Sequence, residues 1–282
     1  MDLQKYKRKL VIYFVVAFFI TVPLFAAYYL HQRNSISNPP ALTFSEKISL
    51  QEAGKMSDSQ SPNWWLNSGG TMEVSNNSAR TNFGPLPENS SWQKLYANTN
   101  PRDTDGGFYP QNIFRLVTRD KWQNLDQQLY FNIDKINLSA SSFRNESNGV
   151  LLFNRYYDGD NLYYTGLRVD GYAVIKKKIG GTYYTLAETD IFSGGKKYDA
   201  TDNPNFLPLH RWIGIRSVVT NIAANMVDVK LYIDKNQSGN WQLVLESKDS
   251  GNIHRTAPLT DPGHAGIRTD FMDVAFQNYK IQ

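Results

Sequence analysis

The sequence predicts an all-β fold, a two-sheet antiparallel jelly-roll sandwich, preceded by one transmembrane helix. Three observations carry that expectation. Residues 10–30 form an uncharged apolar run. Beyond it, short apolar runs alternate with turn residues at a spacing of about ten. No sustained helical period follows the first run.

The apolar run contains Val11, Ile12, Phe14, Val15, Val16, Phe18, Phe19 and Ile20 and ends at Tyr28, Tyr29 and Leu30. About 20 apolar residues span a bilayer core as a helix. Pro23 is tolerated in such a helix, and the two tyrosines fall where an interfacial belt would lie. Lys5, Lys7, Arg8 and Lys9 precede the run, which keeps residues 1–9 as a cytoplasmic stub and sends the rest outside. A cleaved signal peptide fits less well, because Phe25 stands where a small residue is needed for a cut after Ala27. The expected location is therefore the cell membrane, single-pass, with the C-terminal domain outside.

Residues 31–62 are polar, with Asn38-Pro39-Pro40 and a Ser-rich stretch ending at Pro62, and read as a spacer. A short helix around 44–53 is the one element suggested there. Residues 63–282 then form the domain. Asn148-Gly149, Asp158-Gly159, Asp170-Gly171 and Gly180-Gly181 each precede an apolar run, which predicts consecutive hairpins. Later strands are expected at 212–220, 227–233, 241–246, 265–269 and 274–281.

Region 64–281 resembles the concanavalin A-like lectin/glucanase superfamily. Carrying the resemblance are Trp65-Leu66-Asn67-Ser68-Gly69-Gly70-Thr71, Tyr164-Thr165-Gly166-Leu167-Arg168-Val169-Asp170-Gly171, and the closing stretch from Gly266-Ile267-Arg268-Thr269-Asp270 to Asn278-Tyr279-Lys280-Ile281. The resemblance implies a jelly roll of two curved sheets with the first strand beside the last. It does not choose among lectins, glycosidases, lyases and adhesion modules.

Charge narrows the function classes. The first 33 residues hold five basic side chains against one acidic, and the remainder holds 25 of each sign. The basic surplus thus belongs to the anchor, and a neutral domain argues against nucleic-acid binding. Cysteine is absent, which excludes disulfides and thiolate chemistry.

The triplet Gly-apolar-Arg recurs at Gly166-Leu167-Arg168, Gly214-Ile215-Arg216 and Gly266-Ile267-Arg268. Strand alternation sends the central residue inward and the Gly and Arg to the open face. The same parity adds Tyr164 and Asp170 to Arg168, Trp212 to Arg216 and Asp270 to Arg268. Lys176 joins them on the next strand, and Arg155 and Tyr157 on the one before. Such a face suits a polysaccharide, since rings cover sugar faces and Arg forks hold carboxylates or sulfates. The expected ligand is an acidic or mixed glycan. The competing explanation is ordinary cross-strand pairing of Arg168 with Asp170 and Arg268 with Asp270.

Catalytic signals are thin. Glu188-Thr189-Asp190 begins the carboxylate motif of the resembling glucanases but lacks its second Glu. Gln111 to Arg119 is loosely similar to the Arg-bearing strand of jelly-roll lyases, without their His or terminal Tyr partners. An enzyme is thus the alternative, as polysaccharide lyase or glycoside hydrolase with an atypical site; a protein-interaction module of the envelope is another. Asp234, Asn236 and Ser238 stand at alternate positions like half a calcium loop. A hairpin turn explains them first, while the resemblance keeps calcium open, with Asp273 as a further ligand. No other cofactor is expected.

Overall fold

The computed structural model describes residues 38–282. The expected stub, transmembrane helix and residues 31–37 lie outside the described residues. Among the described residues no helix is long and apolar enough to cross a membrane.

Sixteen strands are found among the described residues. They are β1 (Leu42–Thr43), β2 (Ile48–Gln51), β3 (Trp64–Ser68), β4 (Thr71–Ser75), β5 (Ser78–Thr81), β6 (Ile113–Trp122), β7 (Leu125–Ile136) and β8 (Gly149–Asp158). There follow β9 (Asn161–Arg168), β10 (Tyr172–Ile179), β11 (Thr182–Asp190), β12 (Ile213–Ala223), β13 (Met226–Asp234), β14 (Gln242–Asp249), β15 (Gly263–Asp270) and β16 (Met272–Ile281). A helix, α1 (Ser91–Thr99), interrupts them; the Ser90 side chain caps it by accepting from the Gln93 amide.

Two antiparallel sheets face each other, as expected. The larger runs β14-β13-β12-β7-β16-β5-β4-β2, with β1 also on β16; the smaller runs β11-β10-β9-β8-β15-β6-β3. The four predicted hairpin runs are β8 to β11, in sequential order. β15 and β16 lie in different sheets, and the chain passes between them at Phe271, whose φ is 53°. Trp64, Phe114, Phe131, Leu167, Ile215, Ile267, Phe276 and Tyr279 fill the core between the sheets.

Two expectations about the N-terminal part are corrected. Residues 38–62 are not a spacer: Phe44 and Leu50 are fully buried in the core, and the Phe44 ring lies 5.2 Å from those of both Trp64 and Tyr279. The suggested helix at 44–53 is instead β2, paired with β4. The strand beside the last one is β1, from the supposed spacer, while the strand at Trp65 pairs with β6 in the other sheet.

Parity also fails at Arg155. A register irregularity between Asn154 and Asp158, with Arg155 at φ 49°, turns this side chain inward. It is fully buried, donating to the carbonyls of Gln123 and Leu259 and to Asn221 Oδ1. Burial lowers its pKa to about 10.

Candidate functional site

The outer face of the smaller sheet carries a second apolar cluster, separate from the core. Val117, Leu151, Phe153, Tyr156, Leu162, Tyr164 and Val174 form it. Aromatic rings make a ladder across its strands. Phe153 stacks on Tyr156 at 5.3 Å and meets Tyr164 edge-on at 5.4 Å, and Tyr164 stacks on Tyr183 at 5.8 Å. Met56, Trp65 and Tyr172 pack against this cluster.

Beside the ladder opens a groove of about 580 Å³, walled by the chain at Asn100 and Asp103 and by the segment 143–148. The two walls are clipped together: Ser141 Oγ donates to Asp103 Oδ1 and Ser139 Oγ to Asp105 Oδ1, both at 2.6 Å. Phe143 lines the groove and is 62% exposed, an apolar ring presented to solvent at the rim.

The groove's charge is uneven. Arg115, Arg168, Lys176 and Arg268 line it against Asp103 and Asp270, a surplus of two positive charges. Arg268 Nε donates to Asp270 Oδ1 at 2.8 Å, and its guanidinium lies over the Tyr164 ring. Arg168 pairs with Asp170 through two nitrogens and reaches Glu188 at 3.2 Å. Among the described residues, neither Arg115 nor Lys176 has a carboxylate within ion-pair distance. Arg115 stands directly opposite Arg268 in the β15–β6 register, and Asp270 neutralises Arg268. Burial and the nearby Arg168 lower the Lys176 pKa.

The two groove tyrosines differ. Burial pushes the Tyr164 hydroxyl up, and Arg268 only partly offsets this. At Tyr183 burial also raises the value, but Arg268, Tyr164 and Lys178 outweigh it and the phenol is drawn below its usual range. Lys178 lies 4.9 Å from the Tyr183 ring centre.

Of the residues expected on the ligand face, Tyr164, Arg168, Lys176, Arg268 and Asp270 come together in this groove. Asp170 lies on its edge under Arg168. Arg216 and Trp212 do not join them, which corrects the expectation that all three Gly-apolar-Arg arginines share one face. Arg216 lies on β12, in the other sheet, and forms a two-point pair with Asp126, Nε to Oδ1 at 2.8 Å. Trp212 lines a separate small cavity with Arg211 and Lys235. The central residues of the triplets do point inward, as alternation requires: Leu167, Ile215 and Ile267 are all fully buried.

At Gly214 neighbouring rings fill the space beside the glycine, where a Cβ would stand 2.8 Å from Trp241 and from Tyr130. A Cβ on Gly166 would stand 2.3 Å from the Val150 carbonyl oxygen, and one on Gly266 2.2 Å from that of Leu116. The neighbouring strand, not a ligand, occupies the space.

Asp234 belongs to a turn. Its oxygens accept from the Asn236 and Gly239 amides, from Ser238 Oγ and from the Tyr130 hydroxyl. These donors occupy the Asp234 oxygens that a cation would need, while Asn236 Oδ1 accepts from Arg211 and Ser238 Oγ from the Asn240 amide, each at 3.3 Å. Asp273 is buried and accepts from the Gly84 amide, Gln111 Nε2 and Asn137 Nδ2. Among the described residues no cluster of three His, Asp or Glu could hold a metal.

Arg115, Asp103, Tyr183 and Phe143 are among the groove residues outside the ligand face that the sequence predicts. Arg115 alternates with the buried Phe114 and Leu116, so its face is legible, but its place opposite Arg268 follows only from the register.

No family model matches the chain, and no curated protein matches it. Solved structures with a likeness to it include a carbohydrate-binding module, CBM66, from Bacillus subtilis. That likeness has 10% identity and a TM-score of 0.43, covering 87% of this chain and 97% of the module. Another is a Bacillus licheniformis beta-glucanase, with 12% identity and a TM-score of 0.43 over 88% of this chain and 98% of that one. A prokaryotic beta-1,3-1,4-glucanase (lichenase) from a mouse hindgut metagenome has 11% identity and a TM-score of 0.43, over 86% and 96% of the two chains.

Proposed function

We propose that this domain binds an acidic glycan in the groove of the smaller sheet, and that residues 10–30 hold it outside a membrane as a single-pass anchor. One observation carries the binding reading. Arg115 and Lys176, without carboxylate partners among the described residues, face a groove of about 580 Å³ floored by aromatic rings. A sugar ring lies against the ladder, and its carboxylate or sulfate accepts hydrogen bonds from Arg115 and Lys176 beside Arg268.

A glycan array probed with residues 38–282 tests this. Uronate- or sulfate-bearing glycans are expected to bind and neutral ones to bind weakly; silence toward all acidic glycans overturns the reading. Arg216→Ala is expected to leave binding unchanged, because Arg216 pairs with Asp126 on the opposite sheet. Loss of binding in that variant would mean the ligand site lies elsewhere.

A second reading is favoured by the tyrosine pair. Tyr183, with its phenol drawn down, stands stacked on Tyr164 beside Arg268. A uronate held by Arg115 and Arg268 would present its acidic C–H to that oxygen. Elimination would pass that proton to the Tyr183 phenolate, form a C–C double bond as the C–O bond breaks, and release the glycosidic oxygen, which takes a proton from water and regenerates a hydroxyl. Incubation with a polyuronate checks this through the ultraviolet absorbance of the unsaturated product. The elimination reading expects the absorbance to rise and Tyr183→Phe to abolish it; a flat trace with bound polymer leaves binding alone.

A further inference from the structure

The groove does not end at Arg168. A second cavity of about 460 Å³ adjoins it, and Arg168 lines both. β10 runs beneath the pair: Lys176 and Val174 line the first cavity and Tyr172 the second, all on one face of the strand. Lys176 and Tyr172 are four strand residues apart, about 13 Å along the chain, farther than one sugar ring extends. The turn at 145–148 borders both cavities, with Asn145, Ser147 and Asn148 on the first and Glu146 on the second. A chain lying in the first therefore has a continuous path over Arg168 into the second.

Arg168 itself is already committed. Asp170 holds it through two nitrogens, Glu188 reaches it at 3.2 Å, and its guanidinium lies over the Tyr172 ring. Tyr198 packs against the core, so the second cavity offers no bare ring. Lys196 and Lys197 are different. Both are exposed, and neither has a carboxylate within ion-pair distance among the described residues. Of the three carboxylates lining this cavity, Asp170 and Glu188 are spent on Arg168 and Glu146 alone is left. Two uncommitted cations thus stand against one uncommitted carboxylate. An ammonium group brings three donors and no acceptor, and its strongest partner is an anionic oxygen.

We infer that the second cavity is a second acid seat, and that the ligand is a glycan with acid groups on more than one unit, one held at Arg115 and Lys176 and another at Lys196 and Lys197. The inference rests on the acidic-glycan reading of the first cavity and adds to it a requirement for repeated charge. A short acidic sugar fills the first seat only. A longer one passes over Arg168 and places a second acid group between the two lysines.

Titration of residues 38–282, which form one compact unit, with the disaccharide and the hexasaccharide of galacturonate tests this. The hexasaccharide is expected to bind roughly tenfold more tightly, the yield of two further exposed ion pairs. Lys196→Ala/Lys197→Ala is expected to erase that advantage and to leave the affinity for the disaccharide unchanged. Neither lysine is buried or ion-paired among the described residues, so this variant should melt like the unaltered domain. Equal binding of the two probes by the unaltered domain overturns the inference and spares the acidic-glycan reading, and so does a variant that keeps the hexasaccharide advantage. Failure of both probes to bind sinks the two together.

Discussion

A chain begun at Asn63 is expected not to fold, whereas one begun at Asn38 is expected to fold. The earlier start looks dispensable in the sequence, because 31–62 is polar and without period. Phe44 and Leu50 nonetheless lie at the heart of the sandwich, and Phe44 closes an aromatic trio with Trp64 and Tyr279. Removing 38–62 also strips β1 from β16 and β2 from β4, leaving two strands with bare edges. Tyr96 and the Gly70 amide lose the Glu52 carboxylate to which both donate. Phe44→Ala alone should cost about 3–5 kcal/mol, the usual penalty for emptying a buried Phe site. Thermal unfolding followed by circular dichroism checks both. A cooperative melt of the 63–282 piece near that of 38–282 would show that the N-terminal strands are ornament.

The second large effect is expected at Lys177. This lysine is fully buried between the sheets, with Nζ 2.7 Å from Asp249 Oδ2 and 2.8 Å from the Thr256 carbonyl oxygen. Tyr163 donates to the same Asp249 oxygen at 2.6 Å, and the Gly251 amide donates to the other. Lys177→Met leaves a buried carboxylate without its counter-charge, which costs about 3–5 kcal/mol. For a domain of this size that lowers the melting temperature by roughly 6–20 °C. Replacing both partners, Lys177→Met with Asp249→Asn, removes the stranded charge while leaving an amide oxygen to accept from Tyr163, and should recover most of the loss. Equal destabilisation by the single and double variants would show that the lysine acts through packing rather than through its pair.

The strands from β8 to β16 are legible because turn chemistry punctuates them. Asp158-Gly159, Asp170-Gly171 and Gly180-Gly181 turn the chain between β8, β9, β10 and β11, and the apolar runs between them are long enough to show alternation. β1 and β2 are illegible for the opposite reason: they are too short for a period, and each contributes little to a recognisable apolar pattern. At the site, alternation correctly tells which side of its strand each triplet residue takes. It does not tell which sheet a strand joins, so it groups Arg216 with Arg168 and Arg268 although β12 belongs to the other layer. Nor does alternation survive a bulge, which is why it sends Arg155 to solvent while the side chain lies in the interior. Arg115 and Arg268 are far apart in the chain, and only the β15–β6 register brings them face to face.

The proposed function has the unpaired cations of the groove hold the ligand's acid group, and every statement about selectivity depends on that. Titration calorimetry of residues 38–282 with the tightest acidic glycan is the sharpest check, comparing the unaltered domain with Arg115→Ala/Lys176→Ala. Neither side chain contributes an ion pair among the described residues, so the variant should melt normally. It is expected to bind at least a hundredfold more weakly, the scale of removing two charge-assisted hydrogen bonds to the ligand. Unchanged affinity in a normally folded variant would contradict the assignment.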